Sequence, residues 1–255
     1  MQVDREVMHM IRTLEELSMN AWPALETSVS DGWVLRFSEG YTRRANSVHP
    51  LKRGVHGLAD KIDEAERLYD EQGLPPTFKM TSACEPSGLD LALAERGYEW
   101  AAGTSVRVAT LAPTASAPVR VDLSWDRARE WREAFHRMSD VAPERRTIHD
   151  RMLSRIAAPA GFASLDQDGR VVACALGVVE EGWLGVFDVV VDGAERRKGR
   201  GERLMRGLMD WGRELGAERV YLQVMLDNAP AVGLYQKLGF QEAYQYWYRV
   251  RPLSR

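Results

Sequence analysis

The chain reads as an α/β protein, an α+β mixed-sheet arrangement of two related domains in tandem, each a central mixed sheet flanked by helices. Three observations predict this. Helical and strand-like periods alternate through both halves of the chain. The segments Leu91–Val108 and Gly233–Val250 align without gaps, so that Gly97 meets Gly239, Tyr98 meets Phe240 and Val108 meets Val250; a helix closing on a glycine before a strand is thereby repeated. Between the copies, Thr110–Val119 combines small residues with Pro113 and Pro118 and carries no period, which is the composition of a linker. The expected division is a first domain over 1–110, a linker over 111–118 and a second domain over 119–255.

In chain order, the first half predicts a helix over Asp4–Asn20 and a hairpin in which Asp31-Gly32 joins Glu26–Ser30 to Trp33–Phe37. A strand at Arg44–Val48, a helix over Gly57–Gln72, a strand at Thr77–Thr81, a helix over Gly88–Arg96 and a strand over Tyr98–Ala109 complete it. After the linker come a strand at Val119–Leu123, helices within Asp126–Met138 and Glu144–Ile156, and a hairpin of Phe162–Leu165 with Arg170–Val179 turned by Asp168-Gly169. Strand Val186–Val191, helix Gly199–Leu215, strand Arg219–Met225, helix Ala229–Leu238 and strand Phe240–Val250 follow. Leu204, Leu208, Trp211 and Leu215 are spaced to bury one face of the helix that contains them.

A length of 255 residues with 45% apolar and 28% charged residues is that of a folded globular chain, not of a disordered or collagen-like one. Lys and Arg total 34 against 37 Asp and Glu, a net charge of −3, which removes the footprint of a general nucleic-acid binder. The N-terminal residues carry acids and no apolar run of signal-peptide length, and the longest uncharged apolar stretch is Val171–Val179, so neither export nor membrane spanning is expected. With Cys84 and Cys174 alone, no disulfide framework can form, and a reduced cytoplasmic protein is expected. The His residues show no metal-ligand spacing, so no metal is expected.

The strongest chemical signal is Arg196-Arg197-Lys198-Gly199-Arg200-Gly201, after the apolar strand VFDVVV and directly before a helix. Glycines there let a ligand approach the backbone, and the N–H groups of the first helical turn face it with the positive end of the helix dipole. Four cations at the same spot add to the attraction, so the segment reads as a phosphate site; a solvated basic loop is the plainer alternative. A dinucleotide fingerprint would need glycine where Leu204 stands, and a Walker loop would need Gly-Lys-Ser/Thr, which is absent. The second signal is Asn228-Ala229-Pro230-Ala231 leading to Tyr235 and Leu238-Gly239-Phe240. Asn228 can cap a helix with Pro230 in its first turn, and Asn228, Ala231 and Tyr235 share one face of it.

Together the two motifs resemble the GCN5-related N-acetyltransferase superfamily. Its cofactor motif, Arg/Gln-x-x-Gly-x-Gly/Ala, is matched by Arg196, Gly199 and Gly201; its second motif is matched by Asn228, Ala231, Tyr235, Gly239 and Phe240. The resemblance covers about Val119–Val250, and the first half resembles a degenerate copy that keeps Arg96-Gly97-Tyr98 but has Pro50–Gly57 in place of the phosphate loop. It implies two acetyltransferase-like domains, acetyl-CoA (coenzyme A) as cofactor, and direct transfer of an acetyl group to an amine of a small molecule or a peptide. It implies that strands Val186–Val191 and Arg219–Met225 splay apart, with Val189, Val190 and Val191 holding the pantetheine arm. Arg196, Arg197, Lys198, Gly199, Arg200, Gly201 and Glu202 would hold the pyrophosphate, and Asn228 and Ala231 are further cofactor-binding residues.

Tyr235 matches the family's general acid. The carboxylate that many relatives use as a base would fall at Gly185, so Asp188 is the candidate base, with Glu180, Glu181 or a water chain as alternatives. Strand alternation places the Asp188 side chain on the face of Val186 and Val190, where it could equally be a hydrogen-bonded strand carboxylate. Cys174 reads as an inert small hydrophobe. Trp22, Trp33, Arg36, Tyr41, Arg43 and Arg44 read as packing or as a substrate cleft, while His136 and His149 suggest no partners. The rival functions are a non-catalytic acyl-CoA-binding sensor, favoured by Gly185, and a nucleotide-binding regulator; a monomer or homodimer without nucleic acid, metal or membrane partners is expected.

Overall fold

The computed structural model describes residues 2–112, 122–124 and 129–252. Most of the expected linker, and the start of the strand expected at Val119, lie outside the described residues. The chain forms two compact units, Met1–Ser105 with Tyr244–Arg255, and Val106–Ala243.

In the first unit, α1 (Gln2–Ala21) buries Ile11, Leu14 and Leu17 along one stripe. β1 (Glu26–Ser30) and β2 (Trp33–Phe37) form the expected hairpin, with Asp31 and Gly32 both at positive φ as a tight turn requires. β3 is only Val48–His49, and β4 (Thr77–Met80) lies parallel to it, with α2 (Leu58–Glu71) as the crossover. The strand expected at Arg44–Val48 is thus corrected: Arg43–Ala45 is a 3₁₀ turn. The Asn46 side chain accepts from Ser38 N and Gly40 N and donates to Thr42 O, while the Arg36 guanidinium donates to Arg44 O, and these bonds curl the segment away from a ladder. α3 (Leu89–Glu95) and β5 (Glu99–Thr110) follow.

The core of this unit gathers Trp33, Leu35, Phe37, Val48, Ile62, Tyr69, Phe78 and Tyr98. Trp22, Trp33 and Arg36 are buried, so packing is their role, and the Arg36 guanidinium also donates to Met19 O and Trp22 O. Beside the core lies a buried charged group. Lys79 Nζ donates to both Glu15 carboxylate oxygens at 2.8 and 2.6 Å, and Tyr244 Oη donates to Oε1 at 2.7 Å. Tyr244, Tyr246 and Tyr248 are all buried, as alternation predicts for one strand face.

In the second unit, β6 (Asp122–Ser124), β7 (Ala160–Gln167), β8 (Arg170–Glu180) and β9 (Trp183–Val191) pair antiparallel in sequence order. β10 (Arg219–Met225) pairs parallel with β9, and α6 (Arg200–Glu214) connects them. α6 packs Leu204, Leu208 and Trp211 onto Ala163, Ala175 and Val186. Glycines permit that closeness, because a Cβ at Gly161 would sit 2.8 Å from Trp211 Cζ2 and one at Gly177 would sit 2.8 Å from Leu208 Cδ1. Leu215, expected on the same buried stripe, is instead 40% exposed. The helix ends at Glu214, and Leu215 is its C-cap before Gly216 turns the chain at positive φ.

α4 (Arg129–Met138) packs through Trp131, which stands edge-on to Phe162 and donates its indole N–H to Ala163 O at 2.9 Å. α5 (Pro143–Leu153) brings His149 beside Phe135 of α4. α7 (Ala229–Lys237) leads into β11 (Gln241–Val250), in which Gln241–Ala243 belong to this unit. From Tyr244 onward β11 belongs to the first unit, where Trp247–Val250 pair antiparallel with Met80–Thr77. No helix among the described residues is long and apolar enough to cross a membrane.

Candidate active site

The pairing of β9 with β10 runs from Trp183 with Arg219 to Val186 with Leu222, while the strands continue to Val191 and Met225. Two parallel strands that lose their ladder at their carboxyl ends open a crevice there. The break coincides with Asp188, which has φ of 51° and lies at a register shift between β8 and β9. A residue in the left-handed region within a strand is a bulge, and a bulge re-aims the side chains around it. Val189, Val190 and Val191, beyond the bulge, are half-buried.

From Val191 the chain turns through Asp192, whose carboxylate accepts from Ala194 N, into a short 3₁₀ turn and then the glycine loop. Arg197 and Gly199 both take positive φ, and Gly199 caps α6. The α6 ladder begins with Arg203 N–H bonding Gly199 O, so the N–H groups of Arg200, Gly201 and Glu202 lie ahead of it. A Cβ at Gly201 would lie 3.1 Å from Leu234 Cδ2 and 3.7 Å from Val191 Cγ2, which fixes the helix start against both the end of β9 and α7.

Three cations of the loop are held by neighbours. Lys198 Nζ donates to Glu195 Oε1 at 2.7 Å and Arg200 Nε to Glu195 Oε2 at 3.1 Å, while Arg196 Nε donates to Val191 O. Glu202 bonds Arg206 and, at 2.5 Å, Lys237 of α7. The N–H groups of Arg200, Gly201 and Glu202, ahead of the α6 ladder, are the backbone donors the loop offers, with exchangeable cations around them. An exposed strand edge ending at such a helix start can receive an extended, amide-bearing chain that ends in an anion.

Asn228 caps α7 as expected, its Oδ1 accepting from Ala231 N at 3.3 Å. Tyr235 is buried against Phe240, and burial pushes its phenol up to about 12. Gly185 sits opposite Tyr221, whose hydroxyl would be 2.6 Å from a Cβ at Gly185; that space is taken by a phenol rather than a carboxylate. Cys174 is buried and its thiol is pushed up to about 12, so it is no nucleophile.

Asp188 corrects the expectation drawn from alternation. The bulge takes it off the face of Val186, which packs on α6, and its Oδ2 meets His149 Nε2 of α5 at 3.0 Å. His149 Nδ1 in turn meets His136 Nε2 of α4 at 2.8 Å. These histidines do have partners. No sequence spacing could have found them, because residues on two helices and a strand meet only through a bulge that the sequence does not announce.

The first unit contains a second strand–loop–helix–strand crossover, β3 to α2 to β4, and its loop is closed by a side chain. Asp31, from the hairpin turn, accepts from Val55 N at 2.8 Å and His56 N at 3.1 Å, and Lys61 Nζ joins it at 2.9 Å. The hydrogen bond from Val55, then that from Lys61, hold its carboxyl well below the usual range. A Cβ at Gly54 would strike Asp31 itself.

Residues 9–249 match the family model described as "Probable histone acetyltransferase Rv0428c C-terminal". The chain is 32% identical over 246 residues to "Uncharacterized N-acetyltransferase YobR" of Bacillus subtilis, spanning 94% of this chain and 98% of that one. It is 29% identical over 241 residues to "Probable histone acetyltransferase Rv0428c" of Mycobacterium tuberculosis, spanning 91% of this chain and 70% of the relative. A solved GCN5-related N-acetyltransferase from Kribbella flavida has the same fold, with a TM-score of 0.68 over 95% of this chain and 96% of that one at 17% identity. The α/β fold with a parted parallel strand pair is thus that of an acetyltransferase. The chain belongs to the GCN5-related N-acetyltransferases and, within them, to the Rv0428c C-terminal family.

Proposed function

We propose that this enzyme moves an acetyl group from acetyl-CoA directly to a primary amine of a small molecule or a peptide in the cytoplasm, as a monomer or homodimer. The observation that carries the reading is the parting of β9 from β10 after Val186 and Leu222, opening onto the N-terminus of α6. When bound, acetyl-CoA supplies the activated acyl group as a thioester. The backbone of Val189, Val190 and Val191 would pair with the arm. The N–H groups of the Arg196–Glu202 loop would hold the diphosphate, with Arg197 beside it and Arg196, Lys198 and Arg200 turning toward it from their present partners. Asn228 and Ala231 would flank the arm at the start of α7.

Holding both reactants in one crevice makes attack effectively unimolecular. Tyr235 keeps its proton at neutral pH and so can give it to the departing thiolate. Asp188 takes the proton from the amine. The division into domains 1–110 and 119–255 goes with a single cofactor per chain, because the Asp31 carboxylate already takes the amide donors of the first unit's loop. Gly185, which lacks the usual carboxylate, favours one other reading, a non-catalytic acyl-CoA sensor.

Single-turnover assays with acetyl-CoA and a panel of amines, run on the wild type and Tyr235→Phe, test this reading. Transfer that falls about 10²-fold in the variant at unchanged CoA affinity is expected. Binding without transfer to any amine would favour the sensor, and unchanged turnover in Tyr235→Phe would leave the phenol as packing.

A further inference from the structure

The second unit contains a buried polar chain that the reading above uses only at its end. It runs from Asp188 Oδ2 to His149 Nε2 at 3.0 Å, and from His149 Nδ1 to His136 Nε2 at 2.8 Å. The His149 side chain is 0% exposed, and Phe135 packs on its ring with centroids 4.8 Å apart. The direction of the protons follows from the inventory of donors and acceptors. An ionised carboxylate only accepts, so His149 Nε2 carries a proton; in a neutral imidazole Nδ1 is then an acceptor, and the proton between the rings belongs to His136 Nε2.

The surroundings agree. Burial, and then the neighbouring His149, hold His136 below the usual histidine range, which favours its neutral form. The other charged or titratable groups facing the chain are Asp150 of α5, 3.6 Å from His136 Nε2, and Arg132 of α4, 3.6 Å from Asp150. Arg146 of α5, Arg137 of α4 and the Cys174 thiol of β8 also face it.

We propose that His149 is a positioning residue: with its tautomer set by His136, its Nε2–H holds Asp188 Oδ2 and leaves Oδ1 as the atom that takes the amine proton. This rests on the acetyl-transfer reading. In the step, an N–H bond of the acceptor ammonium breaks and an O–H bond forms on Asp188. Attack of the free amine would form a C–N bond as the thioester C–S bond breaks, with the thiolate taking the Tyr235 proton and the phenolate regaining one from the amine nitrogen. The Asp188 carboxyl returns its proton to solvent before the next turnover. The histidines gain and lose nothing. They fix the geometry and charge of a carboxylate on a strand bulge.

Two measurements on the full chain separate this inference from the reading beneath it. Long-range ¹H–¹⁵N spectra, with the His136 and His149 signals assigned by their loss in His136→Gln and His149→Gln, read the tautomers without any assay of activity. Both rings should be neutral and protonated at Nε2 at pH 7.5; a His149 protonated at Nδ1 would overturn the proposal.

Kinetics form the second measurement. His149→Phe keeps the ring packing and removes the donor, so kcat should fall about tenfold or more at unchanged CoA affinity, with the acidic limb of kcat/KM moved to higher pH. His149→Gln, which keeps a donor, should recover to within about threefold of wild type. Equal losses in the two variants, or no loss in the first, would make the residue structural. Stoichiometric zinc uptake abolished by His149→Phe would instead mark a metal site at His136, His149 and Asp150, whose candidate ligand atoms lie within 4.8 Å of one another, and would also overturn the proposal. If the wild type transfers to no amine, the acetyl-transfer reading fails and the positioning role with it, while the spectra still decide whether the hydrogen-bonded chain exists.

Discussion

Replacing Gly201 tests the phosphate reading at its most constrained point. A Cβ there would come within 3.1 Å of Leu234 Cδ2, the far end of a flexible side chain, and 3.7 Å from Val191 Cγ2. Alanine therefore asks Leu234 to give by a few tenths of an ångström, offset by a helix-propensity gain of up to about 1 kcal/mol, so Gly201→Ala should keep the wild-type melting temperature to within a few degrees. Glutamate adds a negative charge at the helix start. At roughly 5 Å from a phosphate charge, its repulsion is about 0.8 kcal/mol at the dielectric of water and about 3 kcal/mol at an effective value near 20. CoA affinity should fall between about fourfold and two-hundredfold, with about tenfold the central expectation. Calorimetric titration of wild type, Gly201→Ala and Gly201→Glu, each checked for folding, measures it. A folded Gly201→Glu protein that binds CoA as tightly as wild type would refute the assignment of the diphosphate to this helix start.

Other predictions concern stability and reactivity. Glu15→Gln leaves the buried Lys79 ammonium without its counter-charge and should cost about 3–5 kcal/mol, lowering the melting temperature by about 2–4 °C for each of these; a loss under about 1 kcal/mol would mean that water reaches the pair. Burial raises the Glu15 carboxyl, but Lys79 and His49 outweigh it and leave it at about 2, against an ordinary 4.5. Its contribution is thus full above pH 4.5 and is lost as pH falls toward 2. Burial also depresses His49 from 6.5 to about 4, so a second contribution is lost as pH falls from 6.5 to 4; melting temperatures constant from pH 7 to 4 would contradict it. Finally, Cys174 should resist alkylation at pH 8 in the folded protein, and mass-spectrometric labelling at a rate typical of free thiols would show the strand to be open.

Regular elements were legible where local chemistry determines them. Asp31-Gly32 announces its hairpin, β10 occupies the residues that its period marks, and Gly199 caps the helix that its motif demands. The errors fall where tertiary bonds override a local period. Asn46 and Arg36 capture the backbone of a segment that reads as strand, and the cap at Leu215 releases the last residue of a helical stripe. The acidic end of the candidate site was half legible. Asp188 stands out as the carboxylate nearest to Gly185, but its direction depends on a left-handed bulge in an otherwise apolar run, and its histidine partners come from α4 and α5. Nor does the sequence indicate that Asp31 reaches across to Val55 and His56, since that contact joins a turn to a loop through the fold.

The central claim is that one diphosphate site, at the start of α6, serves the whole chain while the Asp31 carboxylate closes the corresponding loop of the first unit. Titration of the whole 255-residue chain with CoA, followed by a crystal structure of the complex, tests it directly. The account predicts one CoA per chain, with its diphosphate on the N–H groups of Gly199–Glu202 and its arm along Val189–Val191. Two CoA per chain, or density for the diphosphate at Val55 and His56, would contradict it.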